Sequence, residues 1–235
     1  IVWASVGSAI AQTFDGAADS QPARADLAIV GGLLLDGHEG PPIPGALVLI
    51  NDDRIVAVGS RNTLEIPAGA DVVDATGLTI LPGLIDVHVH LDILGHSDYQ
   101  HWHGRYRDRY ADTMEISARQ LLLSGVTTAV DLAGQPEALI PLIARIERGD
   151  IPGPRVVASM GWLTNWPEEQ VARHHRRSHT INVRTIAEAR TAARTAISQG
   201  AGILKVHTGL TEGQLLAIRE EADAANIKIT GHVGN

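Results

Sequence analysis

Between Asp26 and Leu81 the apolar residues fall in short runs, at 27–30, 46–50, 54–58, 71–73 and 78–81, divided by Gly, Pro, Asn and Asp. Runs of this length, punctuated by turn formers, predict strands. Asn51-Asp52-Asp53 fits a tight hairpin turn between the second run and the third. Gly31-Gly32 reads as another turn, standing apart from any nucleotide-binding pattern. Residues 26–81 are therefore expected to form a small β unit.

Beyond His90 the rhythm changes. Short apolar runs at 126–131, 155–159, 203–206 and 227–230 alternate with stretches whose apolar positions recur at helical spacing, the signature of parallel strands linked by helices. Thr185 with Glu188, and Thr211 with Gln214, have capping-box spacing, and Pro136 suits a first helical turn. Gly125, Gly149 and Gly200 stand where helices from about 113, 136 and 185 should stop. With the strand that ends at His90 this makes five β/α units, short of the roughly 250 residues of a closed (β/α)8 barrel. The expected fold class is α/β: a small β unit over 26–81, then a truncated TIM barrel over 82–235. An open five-stranded sheet is the structural alternative.

Composition narrows the chemistry. Apolar residues make up 44% and charged residues 20% of 235, ordinary for a globular chain. A net charge of −8 argues against nucleic acid as the main partner. Cysteine is absent, so any metal must be held by nitrogen and oxygen. The opening run Ile1 to Ala11 reads as the latter part of a secretory signal, with Ala9 and Ala11 as the small residues before a cleavage at Gln12. Residues 12–25 read as a polar linker, and an exported protein, periplasmic or secreted, is expected. No stretch approaches the length of a membrane span, so stable membrane insertion is not expected.

The candidate chemistry starts in Leu84-Ile85-Asp86-Val87-His88-Val89-His90. On a strand, alternate side chains share a face, so Asp86, His88 and His90 lie together and Val87 and Val89 lie opposite. The apolar neighbours make this strand read as buried. Two neutral imidazoles held side by side are half of a first-row metal site. Barrel enzymes carry their working residues at the C-terminal ends of strands. On that rule Lys205, closing Ile203-Leu204-Lys205-Val206-His207, and His232, closing Ile229-Thr230-Gly231-His232, join the histidine pair on one rim. An ammonium beside a cation would be repelled. Lys205 is therefore either a metal ligand after its amine takes up carbon dioxide as a carbamate, or the partner of a carboxylate or of substrate.

Leu81-Pro-Gly-Leu-Ile-Asp-Val-His-Val-His-Leu91 resembles the first barrel strand of the amidohydrolase superfamily, in its metal-dependent amidase and dipeptidase branch. Gly125-Val-Thr-Thr-Ala-Val-Asp131 resembles the second strand, Gly149-Asp-Ile-Pro-Gly-Pro-Arg155 the approach to the third, and the Lys205 strand and Gly231-His232 the fourth and fifth. The resemblance implies two divalent metal ions: His88 and His90 on one, His232 on the other, and a Lys205 carbamylated by CO2 bridging them. A hydroxide between the metals would attack a scissile amide, peptide or cyclic amide carbonyl, and Asp86 would orient a ligand. Zinc is the default, while manganese, cobalt and nickel suit the same donors. The implied partner is a small amide or dipeptide; substrate-binding residues and a homo-oligomeric state stay open. The resemblance makes residues 26–81 part of a small β-sandwich domain, and its pattern also needs a histidine after the sixth strand and a catalytic aspartate after the eighth. Both are expected beyond Asn235, so no catalytic residue is assigned within the chain, and by itself it is expected to be inactive.

Other residues tempt less. His96, His101 and His103 fall in what reads as a long surface loop, Arg173-His-His-Arg-Arg-Ser-His179 reads as a solvated loop, and His207 shares the Lys205 face as a pocket residue. Rival functions are a deaminase, generally with one metal and no bridging lysine, a lactone or phosphotriester hydrolase, and a non-catalytic scaffold or subunit with a degenerate barrel.

Overall fold

The computed structural model describes residues 22, 24–38, 40–93, 98–174 and 179–232. The signal-like segment, most of the linker, His96, residues 175–178 of the arginine-rich run and the last three residues through Asn235 lie outside the described residues. The chain divides into two compact units, one ending at Gly83 and the other starting at Leu84.

In the first unit the strands are β1 (Leu27–Val30), β2 (Leu33–Leu34), β3 (Ile43–Pro44), β4 (Ala46–Asn51), β5 (Arg54–Ser60), β6 (Asp71–Asp74) and β7 (Thr79–Ile80). They make two sheets, β5-β4-β1-β6 and β3-β2-β7. The organiser is β4, whose alternation serves both faces. Leu47 and Leu49 pack with Val30, Ala57 and Leu64 on one side. Ala46, Val48 and Ile50 pack with Leu34, Ile43 and Ile80 on the other. The β4–β5 hairpin turns at Asp52, which takes φ 54°, and its amide donates to Asp26 Oδ2 at 2.9 Å. Strands β2 and β3, two residues each, were too short for the apolar pattern to disclose.

The second unit runs β8 (Leu84–Val89), α1 (Tyr99–Tyr106), α2 (Tyr110–Leu123), β9 (Val126–Asp131), α3 (Pro136–Glu147), β10 (Arg155–Ala158), β11 (Trp162–Thr164), α4 (Glu168–His174), β12 (Thr180–Asn182), α5 (Ile186–Ser198), β13 (Ile203–Val206), α6 (Glu212–Ala224) and β14 (Lys228–Gly231). All its strand pairs are parallel, in the orders β10-β9-β8 and β12-β11-β13-β14. Leu91, Met114, Leu139, Leu163, Leu204 and Ile218 share one core with the alanines of α5 and α6. Thr185 caps α5, and Thr211 with Gln214 closes a capping box on α6. Helices α2, α3 and α5 each stop two residues before Gly125, Gly149 and Gly200.

One bend determines the layout. After β10 the chain turns through Met160 (φ 57°) and Gly161 (φ 108°), and the strand changes partners. Before the bend β10 pairs with β9; after it β11 pairs with β12 and β13. Ser159 and Gly202 carry the ladder across, donating to Asp131 O at 2.9 Å and Ala158 O at 3.0 Å.

Three expectations fail. The long loop after the first strand contains a helix, α1, and positions 101 and 103, two apart on a helix, share no face. Arg173 and His174 end another helix, α4. The apolar face of β8 is not buried: Ile85 and Val87 are 65% and 68% exposed. Strand β8 ends its sheet with β9 as its neighbour, and on that face Val89 packs against the core while Ile85 and Val87 stay exposed.

A Cβ at Gly161 would lie 2.6 Å from His179 Cδ2, at a φ that L residues rarely adopt. Gly161→Ala is therefore expected to lower unfolding free energy by about 1–3 kcal/mol. Gly149→Ala, with open space around it, is expected to cost less. Urea midpoints at constant m value check both.

Candidate metal centre

Parallel register builds the site. Lys205 stands opposite Trp162 on β11 and Thr230 on β14, and Val206 stands opposite Gly231. The next pair along is His207 and His232, and their amides extend the ladder to Leu163 O at 2.8 Å and Val206 O at 3.2 Å. Because side chains alternate, Lys205, His207 and His232 fall on one face at the strand ends.

His88 and His90 converge as the two-residue spacing predicts. Their Nε2 atoms are 3.3 Å apart with rings nearly perpendicular. Two nitrogens at about 2.0–2.1 Å from one tetrahedral ion lie about 3.3 Å from each other, so the pair fits a shared metal. The His88 ring stacks on His232 at 5.6 Å between centroids, and His90 meets Trp162 edge to face at 6.0 Å. Among the described residues no group of three His, Asp or Glu side chains forms a ready-made metal cage. The donors gather as pairs instead.

The electrostatics favour neutral donors. Burial, then the charges of His88, Lys205, His232 and His207, pull the His90 imidazole down to about 4. Desolvation and then the Lys205 charge lower both His88 and His232. Lys205 is itself 1% exposed, and burial lowers its ammonium. No carboxylate among the described residues pairs with its Nζ.

Asp86 bonds to the backbone, while its charge opposes the lowering of the His88 imidazole. Its Oδ1 accepts the His88 amide at 3.1 Å, which steadies the strand that carries the pair.

Sequence reasoning missed two carboxylates. Asp131 is fully buried and accepts from the amides of Leu91 (2.8 Å), Ala133 (3.0 Å) and Gly134 (2.6 Å), tying the end of β8 to the turn after β9. Asp92 is 1% exposed, and neither of its oxygens has a hydrogen-bond partner among the described residues. Burial and then the nearby Asp131 raise its carboxyl well above the usual range. Asp131 was visible as the polar end of an apolar strand. Asp92, two residues beyond His90, carried no such signal. Neither stands where the sequence reading expected a catalytic aspartate, after an eighth strand.

These groups bear on stability with opposite signs. Asp92 holds its proton more tightly folded than unfolded, so its contribution is undiminished at low pH and is lost as pH rises above about 4. Asp92→Asn should therefore stabilise the chelator-treated protein at pH 7, by about 1–3 kcal/mol, and the gain should vanish below about pH 4. His90 binds its proton less readily folded, so its contribution is lost as pH falls from about 6.5 to about 4. His90→Gln should flatten that limb. Urea unfolding across pH reads both slopes.

A family model described as "Amidohydrolase family" matches residues 79–235. N-acyl-D-aspartate deacylase from Alcaligenes xylosoxydans xylosoxydans is 42% identical over 82 residues, covering 34% of this chain and 16% of that protein. Dihydroorotase from Mycobacterium tuberculosis is 34% identical over 97 residues, covering 41% and 19%. The solved structure of molinate hydrolase superposes with a TM-score of 0.74 at 25% identity, covering 89% of this chain and 54% of that one. The chain thus spans less than a fifth of the two relatives and about half of the solved hydrolase.

Proposed function

The chain belongs to the amidohydrolase family, and from that premise we propose that it contributes the metal-holding strands of a hydrolase of carbon–nitrogen bonds. The substrate class is a small amide, a dipeptide, an N-acyl amino acid or a cyclic amide. The observation that carries the reading is Lys205, a lysine 1% exposed on a central strand with no carboxylate at its Nζ among the described residues.

A buried, unpaired ammonium is costly, and its neutral amine is nucleophilic. In this reading Nζ attacks the carbon of CO2, an N–H proton leaves to solvent, and a carbamate anion results. That turns a charge the neighbouring imidazoles repel into two oxygen donors aimed at the same rim. His88 and His90 would hold one divalent ion, His232 the other, and the carbamate both. Ions so held supply Lewis acidity and water activation. The protein's own part is to keep the imidazoles neutral, to fix the His88 strand through Asp86, and to wall the rim with Trp162. The parallel strands of the second unit would form part of a (β/α)8 barrel, with the first unit as part of a β-sandwich. The remaining ligands and the proton-transferring aspartate would come from strands beyond Asn235.

The protein carrying this chain should bind two divalent ions per copy when CO2 is supplied. With 13CO2 it should show a carbamate carbon resonance that Lys205→Ala abolishes. The same variant should lose metal, and hydrolysis of N-acyl amino acids should fall roughly 100-fold or more. Fewer than two ions in the wild type, or full metal retention in Lys205→Ala, would overturn the assignment.

A further inference from the structure

The four imidazoles of the rim come in two pairs, and the second differs from the first. His232 Nδ1 lies 2.7 Å from His207 Nε2. The Thr208 amide lies 2.8 Å from His207 Nδ1, with Thr208 Oγ1 at 3.2 Å from the same atom. An amide N–H only donates, so His207 Nδ1 accepts, and a neutral His207 carries its proton on Nε2. That proton points at His232 Nδ1, so a neutral His232 must carry its own proton on Nε2. Direction is therefore fixed along the chain Thr208 to His207 to His232.

The relay is rigidly seated. His207 sits 5.1 Å from Trp162 and 4.7 Å from Trp166, measured between ring centroids. Both indoles are pinned, Trp162 Nε1 to Thr180 Oγ1 at 2.8 Å and Trp166 Nε1 to Thr208 Oγ1 at 2.9 Å.

We infer that His207 is a positioning residue that latches His232 and opposes its engagement of a metal ion. The inference rests on the proposed assignment of His232 as a ligand. A metal at His232 Nδ1 must take the atom that His207 occupies. A metal at Nε2 moves the His232 proton to Nδ1, where it faces the Nε2–H of His207; relieving that clash sets His207 Nδ1–H against the Thr208 amide. By either nitrogen, His232 binds only after the His207 contact breaks. The His88 and His90 nitrogens meet at 3.3 Å, a longer contact than the 2.7 Å between His207 and His232 and without the Thr208 anchor behind it, so the two ions load in order, with the His232 ion second and weaker.

Two variants of the protein carrying this chain, purified after chelation, test the latch. His207→Phe keeps a ring between the two tryptophans but no donor, whereas His207→Gln keeps an amide donor. Zinc titrated by calorimetry in bicarbonate buffer should bind wild type in two steps. His207→Phe should tighten the second step about 3- to 10-fold, the worth of one hydrogen bond, and leave the first unchanged; His207→Gln should stay near wild type. Ring 15N resonances of the chelated wild type should show both His207 and His232 protonated on Nε2. An unchanged or weakened second step in a folded His207→Phe, or an Nδ1–H tautomer at either residue, overturns the latch and leaves the metal assignment standing. Fewer than two ions bound by wild type removes both.

Discussion

The burial of Lys205 is the constraint from which the second unit's chemistry follows. A side chain that ends in an ammonium sits 1% exposed on β13, between β11 and β14. In such a place a cation must find a carboxylate, lose its proton or be chemically converted. The nearest ionisable groups are imidazoles, and its charge depresses each of His88, His90 and His232. A rim whose lysine and histidines all resist protonation keeps its nitrogen lone pairs free for a cation other than the proton. Acidic groups that would quench the lysine are kept away: Asp131 spends its oxygens on three backbone amides, and Asp86 turns toward the backbone of its own strand.

How much of this was legible follows from how local each feature is. The period of two along β8 sufficed to bring His88 and His90 together, because a strand's alternation needs no tertiary information. Capping at Thr185 and Thr211 was equally local. The bend at Met160 and Gly161 was not. It arises where one strand exchanges β9 for β12 and β13, a choice set by pairing across distant sequence, and β11 and β12 are only three residues each. His101 and His103 mislead for a related reason. Their spacing copies the β8 motif, but on α1 the same spacing separates the positions around the axis.

The exposure of Ile85 and Val87 is instructive in the same way. Apolar sequence reports what a strand is built to pack against, and on that face of β8 Val89 meets the core while Ile85 and Val87 do not. The site face of β8 does not suffer from this. Its side chains are fixed by the bond from the His88 amide to Asp86, by the Leu91 amide on Asp131, and by the ladder to β9. The geometry of the histidine-bearing face is thus set from within the unit, independently of what meets its other side.

The two imidazole pairs divide a single task unequally. His88 and His90 are aimed by strand geometry alone, with nitrogens 3.3 Å apart, so little reorganisation stands between them and an ion. His207 and His232 meet by cross-strand register, and each satisfies the other. A contact of that kind orients a ring at the expense of its availability, because a nitrogen lone pair accepts a hydrogen bond or a metal but not both. Register therefore does more than gather donors at the ends of β13 and β14. By placing His207 beside His232, it makes engagement of the second donor conditional on the loss of a protein contact. It also leaves the first pair as the natural point of entry for an ion.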